Sequence, residues 1–308
     1  MARVAVIGAN GFIGSHLVDA LSGAGHQVRA FDRYSSRQPT FLARDTEIVR
    51  GEFLSRADLD SVVEGMDYVF HFLSTTTPAT AAADPTLDVR TNLAQTIELL
   101  EACVHAGVRR VFYASTGGAI YGNQEQLRFR ESDPTYPVSP YAIGKLAVEH
   151  YLRFFSVVHG LPSTVFRISN PYGTRQHPYG QQGLIPIAIG KILRGEPVVQ
   201  LGDGSMVRDY LYVEDLVGMI LSAVDREPKF DVYNLGSGEG YTVTDVLNAL
   251  RDVSGIDFEI DVRPVPPTFV DHVVLDVDRF TGEFDSRATT SLVSGIRATF
   301  DHMKAGVA

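Results

Sequence analysis

Short apolar runs alternate with helix-like stretches through the first half of the chain. Arg3 to Ile7 reads as a β-rich run, followed by a glycine turn, a helix-like stretch from Ser15 to Leu21, and a second strand from Val28 to Phe31. Thr46 to Phe53 and Asp67 to Ser74 read as further strands with Asp58 to Glu64 between them; Asn92 to Ala106 reads as a helix and Val108 to Ser115 as another strand. Strands that alternate with helices imply a parallel sheet covered on both faces, so the expected class is α/β with a doubly wound parallel sheet over residues 1–168. After about residue 168 the alternation weakens, and Pro and Gly gather between Asn170 and Gly183. Residues 169–308 are expected to form a smaller C-terminal α/β domain that binds substrate. Its predicted elements are strands at Pro197 to Leu201 and Asp231 to Leu235, and helices at Thr242 to Val253 and Ser291 to Met303.

Composition narrows the picture. With 308 residues the chain can bury a large core. It has no apolar run near the ~18 to 20 residues of a membrane span, and its first strand starts too early for a signal peptide, so a cytoplasmic protein is expected. A formal charge of −10 argues against nucleic acid and anionic membrane as partners. The single cysteine, Cys103, lies among Leu99, Leu100 and Val104 on a helical pattern and reads as packing. No metal site is suggested.

Two sets of residues carry candidate chemistry. Gly8, Gly11 and Gly14, with Phe12 and Ile13 between them, follow a strand and open a helix, where backbone N–H groups can approach a pyrophosphate. Asp32 ends the next strand about 20 residues on, placed to accept ribose hydroxyls and to repel a 2′-phosphate, which favours NAD over NADP. The second set is Ser139-Pro-Tyr141-Ala-Ile-Gly-Lys145. Pro140 suits a helix start, and Tyr141 and Lys145 then share one face a turn apart. An ammonium there is expected to move the phenol toward neutral pH and make it a usable base.

Together with these motifs the sequence resembles the extended short-chain dehydrogenase/reductase family, and within it the NAD-dependent nucleotide-sugar epimerases of the UDP-glucose 4-epimerase type. The likeness continues in Asn92, in Ser115-Thr-Gly-Gly-Ala-Ile-Tyr-Gly122, in Arg167-Ile-Ser-Asn170-Pro-Tyr-Gly173 and in Gly202 to Asp215. It implies a Rossmann fold in which Glu52 and Phe53 stand at adenine-contacting positions and Phe72, Leu73 and Ser74 line the cofactor. It also implies that Tyr141 removes a proton from the sugar's 4-hydroxyl while NAD⁺ takes the hydride, that Lys145 holds the nicotinamide ribose, and that Asn170 and Arg208 hold the diphosphate of a UDP-hexose. The segment from Arg208 to Val213 would return to the first domain. A homodimer is implied through the helices Asn92 to Ala106 and Tyr141 to Val158, with Leu93, Ile97, Leu100, Val104, Leu152 and Phe155 as apolar surface to cover both sheet and partner.

The sequence departs from the family pattern at three places. Gly117 stands where a Ser or Thr donates to the reacting hydroxyl, so Thr116 is the expected substitute, with Ser115 as the other neighbouring hydroxyl. Gly118 and Ala119 stand where 4,6-dehydratases carry an Asp-Glu pair, which speaks against dehydration. No second phosphate Arg is well matched; Arg263 and Asp271 are the nearest candidates, and Val273 falls at the position that limits pocket size. The expected activity is therefore a UDP-hexose 4-epimerase. The alternatives are a nucleotide-sugar 4-ketoreductase or oxidoreductase, and a dinucleotide-binding regulator without catalysis.

Overall fold

The computed structural model of the chain describes residues 1–35, 38–180 and 182–307. Six strands come first: β1 (Arg3–Ile7), β2 (Gln27–Asp32), β3 (Thr46–Arg50), β4 (Tyr68–His71), β5 (Arg110–Thr116) and β6 (Ser163–Ile168). With Val232–Leu235 they form one seven-stranded sheet in the order Val232–Leu235, β6, β5, β4, β1, β2, β3. The pairs β1 with β2, β1 with β4, β2 with β3 and β4 with β5 are all parallel. The order reverses between β1 and β4, and such a switch point is where doubly wound sheets receive their ligands.

Burial follows position in the sheet. All six residues of β6 are buried, as are Val4 to Ile7 of β1, whereas the edge strand β3 has no buried residue. A parallel strand covered on both faces needs a continuous apolar run, and these runs supply it. Against the sheet lies the 20-residue helix Pro140–His159, started by Ser139, whose hydroxyl accepts the Ala142 N–H, and ended by Gly160 in the left-handed region. Its buried positions Ala142, Lys145, Val148, Glu149, Leu152 and Phe155 recur at three- and four-residue spacing, so one stripe faces inward. Burying Leu152 and Phe155 stabilises the unit by roughly 1.5 to 3 kcal/mol each.

The chain divides into two compact units that are not contiguous in sequence: 1–116, 139–167 and 223–233 form the first, and 117–138, 168–222 and 234–308 the second. With Val232–Leu235 of the seven-stranded sheet counted as β10, the second is built on β7 (Asn170–Tyr172), β8 (Val198–Leu201), β9 (Val207–Tyr212), β11 (Gly240–Thr242), β12 (Ile260–Arg263) and β13 (His272–Val273). There β9 pairs in parallel with β7 and β13 and antiparallel with β11, while β12 and β8 make a separate parallel pair. Helices Leu184–Arg194, Val243–Ser254 and Leu292–Val307 surround a second core containing Ile189, Val246, Leu250, Ile296 and Phe300.

Several expectations need correction. The Arg208 segment does not return to the first unit, because β9 finds all its strand partners in the second; residues 223–233 rejoin the first instead. The helix expected from Asn92 starts at Ala94, preceded by a π-turn at Val89–Leu93. The side chain of Asn92 explains the irregularity: its oxygen accepts from the N–H and hydroxyl of Thr75, and its amide donates to Thr76 and Asp88. Leu100, Leu152 and Phe155 are inside the first core, and Leu93, Ile97 and Val104 are half-buried against it. The apolar residues that Pro140–His159 exposes are Ile143, Tyr151, Phe154, Val157 and Val158.

Candidate active site

The cradle at the end of β1 depends on two glycines. Gly8 has φ +90°, and a Cβ there would lie 2.9 Å from the backbone of Leu73. At Gly14 a Cβ would sit 2.0 Å from the Gly8 carbonyl, so the helix Phe12–Gly23 reaches the strand this closely only without a side chain. Gly11 caps the helix with no side chain in the way of its first N–H groups. The carboxylate of Asp32 accepts the N–H of Asn10 at 2.9 Å and of Arg33 at 2.7 Å, which fixes it beside the glycine turn. Phe12 and Ile13 are half-buried behind the turn, as are Phe72 and Leu73, and Ser74 is exposed with its hydroxyl on the Thr76 carbonyl. A bare cradle at a helix N-terminus, with a carboxylate on the neighbouring strand end, fits a dinucleotide.

Of the two positions expected near an adenine, Glu52 is exposed, and the ring of Phe53 is 4 % exposed and packs 5.2 Å from the His71 ring.

In the first unit Tyr141 and Lys145 lie one turn apart on the inward stripe of Pro140–His159. Lys145 is 9 % exposed and donates to the Ala114 carbonyl at 2.8 Å; its ammonium is 4.8 Å from the centre of the Tyr113 ring and 5.8 Å from that of Tyr141. Burial pulls the lysine down to about 8, against the opposing pull of Asp88 and Glu149. Tyr141 goes the other way: burial, with Asp88 adding to it, pushes the phenol up to about 12. Desolvation of the phenolate thus works against the acidifying effect expected of Lys145.

The two neighbouring hydroxyls are sharply different. Ser115 is buried and donates to Glu149 at 2.6 Å, and Glu149 in turn is held by Arg167 in a buried ion pair of 2.7 Å. Thr116 is half-buried, and its hydroxyl makes no hydrogen bond to the described residues. Ser115 is thus committed to structure and Thr116 is available.

Three residues in this region were not singled out from sequence. Asp88, 3 % exposed, accepts from Thr76 at 2.5 Å and Asn92 at 2.8 Å. His71, at the end of β4, bonds Thr96 at 2.9 Å and is pushed down to about 3 by burial and then by Lys145, so it is neutral. Gly144 lies directly on the Asp88 carboxylate, which a Cβ would meet at 1.9 Å. Together with Lys145, Asn92, Thr96 and Tyr113 these residues line a cavity of about 10 Å³. The one available sequence signal was the four-residue spacing of Asp88 and Asn92 on a helical pattern.

In the second unit β9 brings Arg208 beside β13, and Asn170 on β7 pairs with Tyr210. Arg208 donates to the carbonyls of Val207 at 2.9 Å, Asp271 at 3.3 Å and Val270. The Asn170 amide donates to the Asp209 carbonyl at 3.1 Å, leaving its oxygen near Gly118. Asp271 meets Arg208 through its backbone carbonyl, while Arg263 lies on the separate β12–β8 pair, bound to Asp261 at 2.7 Å. Arg263 thus has a partner on its own strand while Asp271 meets Arg208 through its backbone, and Val273 is fully buried.

A seven-stranded doubly wound sheet, a glycine cradle and a Tyr-x-x-x-Lys pair define an NAD-type oxidoreductase fold. The model of the NAD dependent epimerase/dehydratase family matches residues 4–236, and the chain belongs to that family. Over 268 residues it is 32 % identical to the UDP-glucose 4-epimerase of Mycolicibacterium smegmatis, covering 85 % of this chain and 86 % of the relative. The crystal structure of Thermotoga maritima UDP-glucose 4-epimerase with UDP-glucose aligns with a TM-score of 0.94 and 34 % identity, covering 99 % of this chain and 100 % of the other. The Thermus thermophilus UDP-glucose 4-epimerase complex with NAD aligns at 0.91 with 33 % identity over 98 % and 99 % of the two chains.

Proposed function

We propose that this chain is an NAD-dependent epimerase that interconverts a UDP-hexose at carbon 4. The observation that carries the reading is the pair Tyr141 and Lys145 on one helix face, in a family member that lacks carboxylates at Gly118 and Ala119. Elimination of water requires such carboxylates; reversible oxidation requires only a base and a hydride carrier. Bound NAD⁺ supplies the hydride acceptor, then the donor, and brings a positive charge to the site. Gly8, Gly11 and Gly14 receive its pyrophosphate and Asp32 its ribose hydroxyls. Tyr141 takes the proton of the 4-hydroxyl and returns it after the 4-keto sugar has turned over. Lys145 has two N–H donors beyond the one given to Ala114, enough to hold a ribose hydroxyl. Thr116 donates to the reacting oxygen.

On this reading the first unit binds the cofactor, and Asn170 and Arg208 of the second bind the diphosphate. The protein works as a cytoplasmic homodimer, with Ile143, Tyr151, Phe154 and Val158 as the apolar surface that a second copy covers. Among the described residues no helix is long and apolar enough to cross a membrane. Incubation with UDP-glucose, UDP-galactose and their N-acetylated forms, read by NMR of the products, tests the activity. Conversion of none of them sinks it. Tighter binding of NADP⁺ than NAD⁺ by apo-protein would end the role given to Asp32, and a monomeric mass by light scattering the dimer.

A further inference from the structure

The carboxylate of Asp88 is unusual in its placement. It is 3 % exposed and among the described residues it forms no ion pair, in contrast to Glu149, whose charge is matched by Arg167. Thr76 and Asn92 both donate to Oδ1, which orients the group and turns Oδ2 onto the backbone of Gly144. Gly144 lies three residues after Tyr141 and one before Lys145, so the carboxylate is pressed against the helix between the base and the ammonium. Any side chain at 144 would collide with it, since a Cβ would stand 1.9 Å from Oδ2. Asp88 and Lys145 also face the same water-sized cavity, whose other ionisable lining groups are His71 and Tyr113. His71 is neutral, and burial holds the Tyr113 phenol well above its ordinary value.

We propose that Asp88 is a positioning residue of this active site, its carboxylate, lodged against Gly144, setting the charge states of Tyr141 and Lys145 together. This rests on the epimerase reading for its catalytic meaning. A fixed negative charge in a low-dielectric site favours the protonated form of every neighbour, so it keeps the lysine an ammonium and the tyrosine a phenol. Both effects are visible here, as Asp88 raises Lys145 and Tyr141 alike. Of the charged groups facing the pair, Glu149 on the same helix is ion-paired with Arg167 and acts on Lys145 but not on Tyr141, whereas Asp88, with no ion pair among the described residues, acts on both. The consequence is a site in which the base is held protonated, and the ammonium charged, until substrate and cofactor complete it.

The test compares holoenzyme with Asp88→Asn, which keeps the shape and an acceptor for Thr76, and Gly144→Ala, which displaces the carboxylate without removing it. Turnover against pH should have an acid limb set by Tyr141 and an alkaline limb set by Lys145. In both variants the two limbs should move to lower pH by about one unit. Tyrosinate absorbance, taken as the difference between each protein and its Tyr141→Phe counterpart, should show the phenol ionising at lower pH by a similar amount. That second readout needs no turnover, so it separates failure of this idea from failure of the epimerase reading. Uniform loss of activity at every pH with the tyrosinate signal unmoved would make Asp88 a purely structural residue. Movement of one limb alone would also overturn the proposal.

Discussion

Lys145 in the first unit is buried and Arg208 in the second half-buried, and burial lowers the proton affinity of each. They are stabilised in opposite ways. Lys145 gives one hydrogen bond, to Ala114, and otherwise depends on the charges of Asp88 and Glu149. Arg208 is fastened by its planar fork to three backbone carbonyls, those of Val207, Val270 and Asp271. An ammonium with spare donors and a charge that neighbours control suits a step in which protons move. A guanidinium fixed by backbone suits a step in which an anion is gripped, because its remaining N–H groups point in one set direction. The first unit thus contains tunable charge and the second fixed charge.

The largest effect should come from the tunable side. Tyr141→Phe is expected to lower turnover by about 10³-fold or more while NAD⁺ and UDP affinities, measured by calorimetry, stay near wild type. A variant that still turns over at the wild-type rate would remove the phenol from the chemistry.

Next come the two adjacent hydroxyls. Thr116→Val should reduce kcat by roughly 10²-fold, as loss of one positioned donor does, with little change in stability. Ser115→Ala should show the reverse pattern, a loss of about 1.5 to 3 kcal/mol in urea unfolding, because the buried Glu149 loses a donor. Equal behaviour of the two variants would erase the distinction drawn from their hydrogen bonds.

On the fixed side, Arg208→Lys keeps the charge and loses the fork. UDP binding should weaken by about 10- to 100-fold, and the thermal midpoint should fall because three carbonyls lose their shared donor. Unchanged UDP affinity in calorimetry would show that the diphosphate is held elsewhere.

The smallest effect concerns His71. Its folded value of about 3 lies below the ordinary 6.5, so the unfolded chain binds the extra proton between those limits. Stability should therefore fall as the pH drops below about 6.5, by up to about 1.4 kcal/mol per pH unit. His71→Gln should flatten that slope in urea titrations between pH 7 and 5; an unaltered slope would mean that other groups cause the acid loss.

The sequence by itself determined the doubly wound sheet, since apolar runs and helical periods alternate there in a pattern that a parallel sheet requires. It also determined the glycine cradle, Asp32 and the Tyr141–Lys145 spacing, because each depends on residues close in the chain. What the tertiary structure decided lies between distant segments. Asp88 meets Gly144 only because two helical segments pack together, and no local pattern registers that contact. Ser115 and Thr116 are neighbours of equal chemistry in sequence, and the reach of Glu149 from another element commits one and leaves the other available. The burial that opposes the phenol's ionisation is of the same kind: spacing reports the nearby ammonium, whereas desolvation depends on everything that surrounds the ring. The place of β9 in the second unit was likewise set by pairing with β7, β11 and β13, since hydrogen-bonded partners far apart in the chain leave no periodic trace in either strand.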